Sequence, residues 1–314
     1  MRILVVGAGA IGGYFGGRLL EAGRDVTFLV RPRRGAQLAK TGLVIRSAFG
    51  DVTMPAPPTV MADALHEPFD LIVLSCKAYD LKSAADSFAP AVAAKTTILP
   101  LLNGMSHMDF LADRFGSGAV LGGLCIISTT LDADGRILHL NDTHLLPFGE
   151  RDGAMSARAE AIASALSGAR FEARLTKTIM QEMWEKWVLI ATMAGINCLL
   201  RAAVGDIVAA GAANLATGLL DECCAIATVQ GFAPGESTKQ RMRAVLTTPG
   251  SAFAASMLRD IERGAPIEAD HIIGDLIRRG AAQQRDYPLL RIAYAHLKTY
   301  QARRARENAG SPAA

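Results

Sequence analysis

Short, nearly unbroken apolar runs at residues 2–6, 25–30, 71–76 and 97–101 alternate with stretches whose apolar positions recur at helical spacing. That alternation predicts strand-helix-strand units and a parallel sheet. The run at 71–76 is almost wholly apolar, as expected of a strand covered on both faces. Leu43-Val44-Ile45 and Val52-Thr53-Met54 flank Gly50-Asp51 and predict a hairpin over 42–54. Two shorter runs, 137–140 and 144–148, predict an antiparallel extension of the sheet. After about residue 176 the strand pattern stops. Amphipathic stretches at 177–200, 214–230, 252–262, 270–284 and 289–300 follow, broken at Gly231, Pro234, Thr248-Pro249-Gly250 and Pro288. The expected fold class is α/β, a doubly wound N-terminal sheet over residues 1–176 followed by an all-α domain over 177–314.

Composition narrows the function. With 314 residues, 50% apolar and 20% charged, the chain can bury a large core and has room for two domains. A net charge of +3 is too small for a nucleic-acid binder, and the cluster Arg303, Arg304 and Arg306 reads as part of a frayed tail ending in Gly310-Ser311-Pro312. The five cysteines have no CxxC spacing and the six histidines no HxxxH or HExxH spacing, so reduced thiols and no metal are expected. Charged residues Glu21, Arg24 and Asp25 soon after the first apolar run argue against a signal peptide. The uncharged, largely apolar run 187–200 is too short to span a bilayer. A cytoplasmic protein without nucleic-acid or membrane partners is the expectation.

Chemistry enters at the first strand. It runs into Gly7-Ala8-Gly9-Ala10-Ile11-Gly12, and a helical pattern continues through Leu20. This is the dinucleotide fingerprint in its required setting, and it makes the sheet Rossmann-type. Gly7 permits the tight turn, Gly9 lets the backbone approach a pyrophosphate, and Gly12 allows close helix–strand packing. The second strand ends in Arg31, followed by Arg33 and Arg34, where an NAD site carries a carboxylate. A guanidinium there can bond a 2′-phosphate with its planar fork, so NADP (NADPH) is the expected cofactor. Lys77 and Asn103-Gly104 follow two further strands, at the edge where open α/β sheets bind ligands.

Taken together, Gly7-Ala8-Gly9-Ala10-Ile11-Gly12, Arg31, Ser75-Cys76-Lys77-Ala78, Leu102-Asn103-Gly104-Met105, Trp184-Glu185-Lys186, Ser256-Met257-Leu258-Arg259-Asp260 and Pro266-Ile267-Glu268-Ala269-Asp270 resemble the ketopantoate reductase (2-dehydropantoate 2-reductase) family. The resemblance runs to about Leu297. It implies NADPH-dependent reduction of a 2-oxoacid to a 2-hydroxyacid, with Lys186 as proton donor and Glu268 as its supporting acid. It also implies that Lys77 and Asn103 line the cofactor and the reacting centre, and that Ser256 contacts substrate. Read without the resemblance, Lys186 is an ordinary lysine on an amphipathic helix.

The chain departs from that family's pattern at three positions. Where the resemblance implies asparagines facing ketopantoate, this sequence has Ile190, Ala194 and Phe253. Asn197 and Arg201, farther along the same segment, are the polar groups offered instead. Arg201 can bind a carboxylate bidentately or cap the helix C-terminus. Other readings are an opine-type or other two-domain dehydrogenase and a non-catalytic NADP-binding sensor. Retention of both Lys186 and Glu268 speaks against the sensor. Apolar faces in the helical half are compatible with a homodimer.

Overall fold

The computed structural model describes residues 1–281 and 285–310. The end of the helix expected to reach Gln284, and the tail from Ser311, lie outside these residues. The chain divides into two units, Met1–Asn103 with His107–Ile179, and Gly104–Ser106 with Met180–Ala314.

The first unit begins with β1 (Ile3–Val6), α1 (Ala10–Glu21), β2 (Val26–Leu29), α2 (Pro32–Thr41), β3 (Leu43–Arg46), β4 (Val52–Met54), β5 (Thr59–Val60), β6 (Leu71–Leu74), α3 (Leu81–Phe88) and β7 (Thr97–Pro100). It continues with α4 (Ser106–Phe115), β8 (Gly122–Gly123), β9 (Thr129–Leu131), β10 (Ile137–His139), β11 (Leu145–Gly149), α5 (Ala157–Leu166) and β12 (Glu172–Leu175). Strands β5-β2-β1-β6-β7 form an all-parallel sheet in that order. Every residue of β1, β6 and β7 is buried, which explains their nearly unbroken apolar runs. The register sets Val6 beside both Leu29 and Leu74, so the C-terminal ends of β1, β2 and β6 are level.

Helix α1 carries glycines at 12, 13, 16 and 17, each costing about 0.5–1 kcal/mol against alanine inside a helix. Close packing is the reason for them. A Cβ on Gly16 would lie 2.6 Å from the Phe28 ring, and one on Gly17 would lie 2.8 Å from Ile45. The hairpin β3–β4 is present as expected. The antiparallel extension of the main sheet is not. Instead β10 runs parallel to β3 and antiparallel to β9, while β11 runs parallel to β12 and antiparallel to β8, giving two separate small sheets.

Over the hairpin, the His144 ring stacks 3.9 Å from Phe49 and its Nδ1 meets the Tyr14 hydroxyl at 2.7 Å. Burial holds the His144 pKa below its ordinary 6.5, with His139 and Arg18 adding to the effect and Glu172 opposing it. Because the unfolded chain takes up this proton more readily, the neutral ring stabilises the fold above about pH 6.5, and that contribution is lost as pH falls further. Thermal unfolding between pH 7.5 and 5 should show Tm declining, with a shallower decline in His144→Asn. Equal slopes for the two proteins would remove His144 from the account.

The second unit is helical: α6 (Ile179–Leu200), α7 (Val204–Ala209), α8 (Ala213–Val229), α9 (Glu236–Thr247), α10 (Ser256–Glu262), a π-helical turn (Asp270–Gly274), α11 (Asp275–Gly280) and α12 (Pro288–Gly310). Trp184 and Trp187 fill its core with rings 4.8 Å apart. The Glu222 carboxylate accepts the N–H groups of Leu289 and Leu290, capping α12 just behind Pro288. Arg303, Arg304 and Arg306 therefore lie on a helix that runs to Gly310, not in a frayed tail. Among the described residues, no helix is long and apolar enough to cross a membrane.

Candidate active site

Level strand ends gather the first unit's expected residues on one edge of the sheet. Gly7 follows β1 with φ +94, the left-handed region that glycine tolerates, and its N–H bonds the Leu29 carbonyl at 3.0 Å. A Cβ on Gly12 would sit 2.2 Å from the Gly7 carbonyl and 2.2 Å from Ser75 Oγ, so only glycine fits. A Cβ on Gly9 would meet no protein atom within 4 Å. Folding thus leaves Gly9 unconstrained, and the smallness of that position suits a ligand reaching the backbone. Ala10 and Ile11 open α1, whose first N–H groups and dipole favour an anion.

Two residues given no role in the sequence reading hold this turn. Ser75 Oγ donates to the Val6 and Gly7 carbonyls at 3.0 and 3.3 Å. Arg34 Nε donates to the Ala8 carbonyl at 2.9 Å, and its Nη1 bonds Gln37 and the Gly135 carbonyl. Burial lowers the pKa of Arg34. The signal for Arg34 was only its place beside Arg31. Apart from Gln37 on the same helix, its partners, Ala8 and Gly135, are distant in sequence.

Arg31, the residue before α2, is exposed and pairs with Asp80 through both terminal nitrogens, at 2.8 and 3.3 Å. Hydrogen bonding to Asp80 raises its pKa. Lys77, exposed, begins the turn that carries Asp80, and its carbonyl accepts the Asp80 N–H. Asn103, half-buried, follows β7 at the same sheet edge.

In the second unit, α6 carries Lys186, Ile190, Ala194 and Asn197 at helical spacing, which sets them along one face. Lys186 and Ile190 are half-buried, and Ala194 is buried. Asn197 is 0% exposed. Its Oδ1 accepts the Ala255 N–H at 3.0 Å and its Nδ2 donates to the Ala202 carbonyl at 2.8 Å. The substrate contact expected of Asn197 therefore gives way to an internal one, since both polar ends are taken by backbone. Ala255 precedes exposed Ser256, the first residue of α10, so Asn197 anchors the element that presents that hydroxyl. Arg201, exposed just past α6, has φ 55, the left-handed cap conformation. Glu268 is half-buried between buried Ile267 and Ala269, and its carbonyl accepts the Ile272 N–H at 2.9 Å. Among the described residues, no group of three His, Cys, Asp or Glu is placed to hold a metal.

A glycine turn open to a pyrophosphate, cations at neighbouring strand ends, and a separate helical unit bearing Lys186 and Glu268 suit a nicotinamide-dependent oxidoreductase. Comparison with known proteins agrees. The ketopantoate reductase PanE/ApbA family model matches residues 3–153, and its C-terminal model matches residues 178–301. The chain is 37% identical over 303 residues to the uncharacterized oxidoreductase YkpB of Bacillus subtilis, covering 96% of this chain and 99% of that one. It is 27% identical to the 2-dehydropantoate 2-reductase of Archaeoglobus fulgidus, covering 89% of this chain and 90% of the relative. Among solved structures, the 2-dehydropantoate 2-reductase of Methylococcus capsulatus superposes with a TM-score of 0.86 at 28% identity, covering 97% and 98% of the two chains. From matches spanning both units, the chain is a member of the ketopantoate reductase family of oxidoreductases.

Proposed function

We propose that this protein is a cytoplasmic NADPH-dependent reductase of 2-oxoacids, acting on ketopantoate or a close analogue. The observation that carries this reading is the joint presence of Lys186 and Glu268 in the helical unit, which follows an intact glycine turn along the chain. A pure cofactor sensor has no need of a proton donor. Bound reduced nicotinamide supplies a hydride to the ketone carbon of the substrate. Negative charge then grows on the ketone oxygen, where the Lys186 ammonium stabilises it and delivers the proton. Glu268 holds that ammonium in place, and Ser256 and Arg201 offer donors to the carboxylate. Gly7, Gly9 and Gly12, with the first N–H groups of α1, hold the pyrophosphate, while Lys77 and Asn103 flank the cofactor. NADPH oxidation measured against a panel of 2-oxoacids tests the reading. No turnover with any of them would overturn it.

Cofactor choice rests on Arg31. It is exposed, it is held by Asp80, and no carboxylate ends β2 itself. Arg31→Ala should weaken NADPH binding about tenfold or more, the size of a lost hydrogen bond to a charged group, and leave NADH binding nearly unchanged. Fluorescence titration with both cofactors makes the comparison. Equal losses would show that Arg31 serves only to hold Asp80.

A further inference from the structure

We infer that Trp187 and His271 are positioning residues for Glu268, acting through the π-helical turn Asp270–Gly274 that follows it; this rests on the role of Glu268 proposed above. A π turn is rare, and it persists where its surroundings determine it. Here side chains from distant parts of the unit grip most of the turn. At its start, the Asp270 carboxylate accepts the Tyr294 hydroxyl at 2.5 Å and Lys298 Nζ at 3.0 Å. Next, His271 Nδ1 meets Ser106 Oγ at 2.6 Å. The His271 ring also fills the space at Gly104, where a Cβ would come within 2.9 Å of it. Then the buried Trp187 indole N–H donates to the Ile272 carbonyl at 2.9 Å. At the far end, the Tyr294 ring packs on Gly274.

Two of these grips bear on the reacting groups. Trp187 is the residue after Lys186 on α6, so its bond fixes the register between the helix of the lysine and the turn of the acid. Trp187 is itself fixed by the Trp184 ring at 4.8 Å and by the Arg279 guanidinium, 5.8 Å from its ring centre. Arg279 in turn donates to buried Asp275 on α11. His271 reaches Gly104 and Ser106, which follow Asn103 in the chain. Within this framework the Glu268 carbonyl caps the turn by accepting the Ile272 N–H, so a shift of Ile272 moves Glu268.

The test separates positioning from general packing by a double-mutant cycle. W187F keeps an apolar ring and removes the N–H. H271F removes the bond to Ser106, and H271N restores a polar atom near the Nδ1 position. Each is made alone and, for W187F and H271F, with E268Q. Turnover and KM are measured with ketopantoate and trimethylpyruvate, alongside Tm and NADPH affinity. W187F and H271F should lower kcat roughly ten- to a hundredfold, the scale of a small misplacement, with KM and NADPH affinity little changed. H271N should recover most of the loss. Neither change should lower kcat further once Glu268 is Gln. Losses that multiply in the E268Q background, or wild-type kcat in both W187F and H271F, would overturn the inference and leave the role of Glu268 standing. Wild-type turnover in E268Q alone would overturn that role and the inference together. Should W187F fail to fold, the His271 cycle decides by the same criteria.

Discussion

Lys186→Ala is expected to lower kcat by about 10²–10⁴-fold, the usual contribution of a positioned general acid, while NADPH affinity stays close to wild type. The separation follows from the architecture. Lys186 belongs to α6 in the helical unit, whereas the glycine turn, Arg31 and Lys77 belong to the first. Its charge is needed when hydride arrival places negative charge on the ketone oxygen, so the loss should fall mainly on turnover. Lys186→Arg is the sharper variant. It keeps a cation that can stabilise the oxygen but releases a proton far less readily, so it should recover only a small part of the rate. Steady-state kinetics with NADPH titrations checks both. A loss under tenfold in Lys186→Ala would point to another donor.

How far the sequence discloses such a site depends on whether its signal is local. The glycine turn is local. Gly7, Gly9 and Gly12 each answer a steric demand of their own neighbourhood, and strand and helix flank them in the right order. The central strands are equally plain, because burial on both faces writes itself as an apolar run. Helix α9 gives a fainter signal, as only Met242 and Leu246 among its residues are buried. Helix α7 spans six residues, too few to show a period. Other features have no local signature at all. The grip of Arg34 on the Ala8 carbonyl, and of Trp187 on Ile272, joins positions distant in the chain through backbone atoms, which any residue could supply. Asn197 is the instructive case. Its spacing from Lys186 puts it on the right helical face, but spacing does not reveal that the Ala202 and Ala255 backbones already occupy its amide. Lys186 and Glu268 are chemically ordinary residues, made visible only by the family pattern around them.

Ketopantoate should be turned over less efficiently than trimethylpyruvate, its analogue with hydrogen in place of the hydroxyl, by roughly ten- to a hundredfold in kcat/KM. Where the family pattern implies asparagines facing that hydroxyl, this chain has half-buried Ile190, buried Ala194 and, ahead of Ser256, the exposed ring of Phe253. Neither Ile190 nor Ala194 can replace a hydrogen bond that the hydroxyl makes to water, and an unmet buried polar group costs about 1–3 kcal/mol. The polar residue nearest to compensating, Asn197, is fully committed to the chain itself. Arg201 and Ser256 remain, but the carboxylate common to both substrates has first claim on them. The two oxoacids share their carbon skeleton, so differences in shape and carbonyl environment are small and the comparison isolates the hydroxyl. Ile190→Asn should narrow the gap by raising kcat/KM for ketopantoate alone. If the wild-type protein instead favours ketopantoate by tenfold, another group meets the hydroxyl, and the activity is that of an ordinary ketopantoate reductase despite the apolar face of α6.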